Sequence, residues 1–179
     1  SSFLLAEIAS TRFEQSVVNS IVAYGQTKEL INEPNLEDPE ESVARRRILM
    51  DYRGHYFNGS PEEISWYRGQ LTVKDIKKLK TINFEYWLDF SNNTRKLTTV
   101  AEKIRENIQY EDEPNDIFFQ IARTQGKSAM IPVILVGEKL DSLTILEGHF
   151  RLVAFLLQEK QHQVIPAIIG LSNNISNWV

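Results

Sequence analysis

The chain has 179 residues, 42% hydrophobic and 25% charged, the balance of a globular protein long enough to bury a core, as one domain or one domain with an extension. A net charge of −4 argues against a protein that coats nucleic acid by charge alone and leaves only a local basic patch open. The absence of cysteine excludes disulfides, thiol catalysis and cysteine-based metal sites and fits a cytoplasmic setting, and His55, His149 and His162 are too widely spaced for a short zinc-binding pair.

Leu4, Ile8, Val17, Val18, Ile21 and Val22 recur at near-helical spacing and predict a helix over 3–24, stopped at Gly25. That helix packs on the body of the protein or serves as a partner or dimer helix. Residues 32–39 form a polar connector. Asp38 then caps a helix with Pro39 at its first position and Glu40 and Glu41 in its first turn, ending at Gly54. Arg45, Arg46 and Arg47 point around this helix, as a solvated surface or as a phosphate or nucleic-acid contact. The turn signals Asn58-Gly59 and Ser60-Pro61 place a boundary between a helical extension, 1–60, and a main domain, 61–179.

Ser60 is expected to cap a short helix through Trp66, with 67–71 a short strand or loop. Thr72 and Asp75 form a near capping box for a helix whose buried stripe is Val73, Ile76, Leu79 and Ile82. The aromatic run at 84–90 is core packing or the wall of a ligand pocket. Thr99 to Glu102 reads as a capping box for a helix through Ile104 and Ile108. Asn115 caps the next helix, which carries Ile117, Phe118, Ile121 and Ala122 and closes at Gly126. The apolar run 131–136 is a strand, 137–142 a hairpin loop and 143–146 its partner strand. A helix from His149 to about Glu159 and a strand over 164–169 follow. The tail is expected to be a surface loop with Trp178 against the body. No apolar run approaches the roughly 18 residues of a membrane span, and no secretory signal is visible, so no membrane partner is expected.

The stretch 143–157 carries the chemistry. Leu152, Val153, Ala154, Phe155, Leu156 and Leu157 make its helix apolar on nearly every face, and such a helix is buried. Its start leaves backbone N–H groups unpaired and partly positive, and Arg151 stands beside them, which suits a phosphate-like anion. An unpaired buried charge is costly, so Arg151 either pairs with a carboxylate of the protein or meets a bound anion. Gly126-Lys127-Ser128 is not a Walker A loop: the earlier glycine would fall at Ile121, and the segment precedes a strand. Lys127 is kept only as a residue that reaches a phosphate from a neighbouring loop.

A helix, the strand IPVILV, a hairpin, LTILEGHFRLVAF and the strand VIPAIIG together resemble the ParB/sulfiredoxin superfamily over about residues 68–170, most specifically over 131–157. The resemblance implies an α+β fold: a ParB/sulfiredoxin-like core with a small mixed sheet and surrounding helices, here with an N-terminal helical extension. The superfamily box reads GCHR in sulfiredoxins, GERR in ParB proteins and DGHHR in the free-serine kinases. The phosphate-binding glycine and final arginine fall on Gly148 and Arg151, and the kinase acid and first histidine on Glu147 and His149. His149 stands where sulfiredoxins carry cysteine, which excludes sulfinic-acid reduction. Phe150 replaces the second kinase histidine. The helix-turn-helix domain that chromosome-loading ParB proteins add after this core is not expected here.

The leading expectation is thus a nucleotide-binding protein that transfers or hydrolyses a phosphoryl group. Gly148, His149, Phe150, Arg151 and Lys127 would bind a nucleoside di- or triphosphate. Glu147 would hold Mg²⁺ or orient a nucleophile, with His149 the other catalytic candidate and a small molecule as phosphate acceptor. Glu102 and Glu106 are candidates for a second carboxylate. One alternative is a non-catalytic module stabilised by a nucleotide or only by a buried ion pair, whose helical extension binds a partner, a homodimer among them. A nucleic-acid-processing role ranks lowest on charge.

Overall fold

The apolar positions of the first 24 residues do not make one helix. They divide between α1 (Ser2–Ile8) and α2 (Glu14–Ala23), because the Ser10 carbonyl accepts the N–H groups of Phe13 and Glu14 and turns the chain. Gly25 ends α2 at φ 65, with its N–H on Val22 O and that of Gln26 on Ile21 O, the paired bonds of a left-handed helix stop. After the short α3 (Glu29–Asn32), α4 (Pro39–Arg53) starts where its caps require: the Asp38 carboxylate accepts the Glu40 and Glu41 amides at 2.8 and 3.3 Å. α4 ends at Gly54 as expected, although this residue has φ −53 rather than a left-handed stop and leads into a 3₁₀ turn, Gly54–Phe57. Leu4, Val17, Ile21, Ile31 and Ile48 form the core here.

The computed structural model, an α+β protein, describes residues 2–10, 12–110, 114–124, 130–158, 163–175 and 178–179. The chain divides into two compact units, Ser1–Ser60 with Trp178 and Pro61–Asn177 with Val179. Trp178 belongs to the first unit through its indole N–H, which donates to Tyr56 O at 2.7 Å.

The second unit is built on a four-stranded mixed sheet of order β1 (Ser65–Leu71), β4 (Ile165–Leu171), β2 (Val133–Lys139), β3 (Ser142–Glu147). β1/β4 and β2/β3 are antiparallel and β2/β4 parallel. The helix expected to run to Trp66 is absent, since Ser65 and Trp66 already pair with Leu171 and Gly170; a partner a hundred residues away overrides a local cap signal. Thr72 does cap α5 (Val73–Ile76) with a full capping box to Asp75, but the helix is one turn long. Leu79, buried, and Ile82 therefore lie beyond it rather than on its stripe. Then come α6 (Glu85–Phe90), α7 (Leu97–Arg105), α8 (Asp116–Thr124) and, after the β2–β3 hairpin, α9 (His149–Leu157).

α7 begins before Thr99, because Leu97 is fully buried and helical already. It ends at Arg105, and Asn107, φ 57, turns the chain so that Ile108 N–H closes back on Lys103 O, which leaves Ile108 outside the helix and exposed. α7 and α8 pack on α9, and α9 sits on the sheet face carrying Val133, Leu135, Ile145 and Ile165. Gly126, expected to close α8, lies outside the described residues.

Candidate functional site

The strand β3 reaches the site through a register shift opposite Ile134 and Leu135, and Glu147 is its last residue. Gly148 then turns the chain at φ 105 and serves as the N-cap of α9 without any side-chain cap bond. Only glycine fits: a Cβ here would lie 2.5 Å from Val133 Cγ1 and 3.2 Å from Arg151 Nη2. The first bond of the helix runs from Leu152 N–H to Gly148 O at 2.9 Å. α9 is buried as its composition requires, with Leu152, Val153 and Ala154 fully covered.

Arg151 turns back over this corner. Its Nη2 donates to the Glu147 carboxylate and its Nη1 to the Ile131 carbonyl. Both side chains are mostly buried, 23% exposed for Arg151 and 13% for Glu147. Of the two readings of Arg151, the structure displays the protein-carboxylate pair, and the carboxylate is the one expected to hold Mg²⁺. A negative group at a helix start is favoured by the peptide dipoles, and Glu147 immediately precedes the N-cap of α9.

His149 faces inward, at 7% exposure. Its Nε2 accepts the Ile82 N–H at 3.1 Å, and its ring stacks on Trp87 with centroids 4.6 Å apart. Burial, helped by the Arg95 cation, holds its pKa down at about 3. At neutral pH this imidazole carries no exchangeable positive charge, and its acceptor nitrogen is occupied. Phe150 likewise packs inward, stacked on Phe118 at 4.7 Å and edge-on to Trp87. The aromatic run that supplies Trp87 and Phe90 is core packing, although Phe84 at its start is exposed.

The other candidates lie elsewhere. The Arg105 guanidinium donates to Leu156 O, at the C-terminal end of α9. Glu106, its neighbour, is thereby at the opposite end of α9 from Glu147, and Glu102 is exposed. Lys127 and His162 fall outside the described residues. Among the described residues, no group of three or more His, Cys, Asp or Glu is placed to hold a metal ion. None of the described helices is long and apolar enough to cross a membrane.

Sequence reasoning did not single out Arg95. It lies in the left-handed region at φ 58, and its guanidinium donates to Thr81 O at 2.8 Å and to Thr144 Oγ1 at 3.4 Å. It thereby fixes the segment 80–82, which is bonded in turn to β3 by Lys80, to Arg95 by Thr81 and to His149 by Ile82. The signal available was the pair Asn92-Asn93, turn formers that tolerate this conformation.

No protein-family model, curated protein or solved structure matches the chain.

Proposed function

We propose that the second unit is a non-catalytic, nucleotide-responsive binding module of the ParB/sulfiredoxin type. In it, the phosphates of a nucleoside di- or triphosphate displace the Glu147 carboxylate from Arg151. The observation that carries this reading is the Glu147–Arg151 pair at the start of α9, where the helix has no side-chain cap. Phosphate and carboxylate compete for the same planar donor fork, and the phosphate brings more acceptors and charge. Val133 fills the space over Gly148, so in this reading the anion takes the place of the Glu147 carboxylate on Arg151 and does not sit on the glycine itself. The displaced Glu147 is the ligand this chain offers to a Mg²⁺ accompanying the nucleotide.

Binding is favoured over phosphoryl transfer by His149, which is committed to Ile82 and kept neutral by burial. A second reading has its own support. The close fit of Val133 against Gly148 suits a corner in which the ion pair only stabilises the fold.

Thermal unfolding with ATP, ADP, CTP and GTP, each with Mg²⁺, separates the two. A ligand at about 100 times its Kd stabilises the native state by about 2.7 kcal/mol, a clear rise in Tm. Glu147→Gln removes the competing charge and should increase the shift, and Arg151→Lys should reduce it. No shift with any nucleotide in either the native chain or Glu147→Gln leaves the ion-pair reading standing. Steady release of ADP or phosphate would overturn the non-catalytic part.

A further inference from the structure

The two edges of the sheet are treated differently. The outer edge of β3 is covered by the chain itself: Lys80 N–H donates to Leu143 O at 3.0 Å and Lys80 O accepts from Ile145 N–H at 2.8 Å. The outer edge of β1 has no backbone partner among the described residues. It is also displayed: Trp66 is 50% and Tyr67 53% exposed, and Ser65, Arg68 and Gln70 are exposed with them. β1 pairs with β4 without a bulge over all seven residues, and it has no proline and a single charge. An unprotected edge of this kind is a template for another strand.

We infer that the strand it receives is β1 of a second copy of this chain, antiparallel across a two-fold axis centred on Tyr67. The proposal is independent of nucleotide binding. The argument is the register. In a two-fold antiparallel pair one residue faces its own copy, and the others face each other in equal and opposite steps. The midpoint of β1 is Arg68, and centring there would set two guanidinium groups face to face, which is destabilising. One residue back, Tyr67 faces Tyr67, Ser65 faces Gly69, and Trp66 faces Arg68 twice over. Each Arg68 then lies against an exposed indole, a cation–π pairing, and the tyrosines meet as an aromatic cross-strand pair. Centring on Trp66 would set Arg68 opposite Ile64 and lose both pairings. The sheet becomes eight-stranded, with the four strands of each copy in the order already described.

The chain has no cysteine, so one introduced thiol reports directly. In the inferred register, Tyr67→Cys brings the two α-carbons to about 4.5–5.5 Å, inside the disulfide range of roughly 4.4–6.8 Å. Arg68→Cys places its thiols diagonally, beyond that range. Leu140→Cys, at the exposed hairpin tip, measures random collision. The expected result is a concentration-dependent dimer of the native chain in sedimentation. Oxidative cross-linking should be at least tenfold faster for Tyr67→Cys than for Leu140→Cys. Tyr67→Lys should sediment as a monomer with an unchanged far-UV spectrum. A native chain that stays monomeric up to several hundred micromolar overturns the inference, as does cross-linking of Tyr67→Cys at the collision rate. Faster cross-linking of Arg68→Cys than of Tyr67→Cys overturns the register.

Discussion

The imidazole of His149 takes the amide hydrogen of Ile82 at 3.1 Å, joining the start of α9 to a loop 67 residues earlier in the chain. The bond exists only while Nε2 is unprotonated. The unfolded chain binds a proton on this ring as the pH falls through 6.5, whereas the folded chain resists until about 3. Protons therefore favour unfolding between those values. Stability is fully present above 6.5 and falls by about 1.4 kcal/mol for each pH unit below it. Urea unfolding at pH 7.5 and 5.5 should differ by about that amount. In His149→Gln, whose amide oxygen can still accept from Ile82, the difference should shrink to a few tenths. An undiminished slope in the variant would place the responsible group elsewhere.

Gly148 should not tolerate a methyl group, for two separable reasons. Its φ of 105 costs an L-residue about 1–2 kcal/mol. The added Cβ would also lie 2.5 Å from Val133 Cγ1, and overpacking of this kind costs about 1–3 kcal/mol. Gly148→Ala should lose the sum in chemical denaturation. Adding Val133→Ala should recover the steric part relative to the separate effects, which a double-mutant cycle reads as coupling. Purely additive losses would mean that Val133 yields without cost.

Side chains that bond to nearby backbone were legible in the sequence. Asp38 and Thr72 start helices where their spacing to Glu41 and Asp75 requires. The start of β1, decided by a distant partner, was not legible. The register of β1 is set by β4, and nothing in residues 60–66 encodes that pairing. The candidate site was legible as a cluster and illegible in its pairings. Glu147 and Arg151 are four apart, but Glu147 ends β3 and Gly148 turns at φ 105 between them, so their contact comes from that turn and not from helical spacing. The inward turn of His149 was equally illegible, because Ile82, Trp87 and Arg95 reach it only through the tertiary fold.

The three consecutive arginines of α4 should behave unequally. Arg45 is 5% exposed, pairs with Glu41 and donates to the Leu30 and Asn35 carbonyls, tying α3 and the connector to α4. Arg46 and Arg47 are exposed. Arg45→Ala leaves two carbonyls without their donor and should destabilise the first unit by about 2–4 kcal/mol. Arg46→Ala and Arg47→Ala should stay within about 0.5 kcal/mol. Hydrogen exchange of the amides in 29–53 measures this directly. A nucleic-acid contact here could use only Arg46 and Arg47, so DNA retention, if any, should fall in that pair of variants and its salt dependence should weaken.

Thr72 and Thr99 each stand three residues before an acid, and only the first acts as a cap. The Thr72 hydroxyl accepts the Asp75 amide at 3.3 Å, and the Asp75 carboxylate takes both the Thr72 amide and its hydroxyl, which draws the Asp75 pKa below the ordinary carboxylate value. Thr99 is already inside α7, its amide donating to Lys96 O. Thr72→Ala should therefore cost about 1 kcal/mol, and Thr99→Ala should stay within about 0.5 kcal/mol. The loss in Thr72→Ala should shrink in acid, because the ionised Asp75 carboxylate accepts these bonds more strongly than the neutral acid and that extra contribution disappears as the pH falls below the ordinary carboxylate range. Equal losses at the two threonines in urea unfolding at pH 7 would mean that the α7 start had shifted to Thr99 in solution.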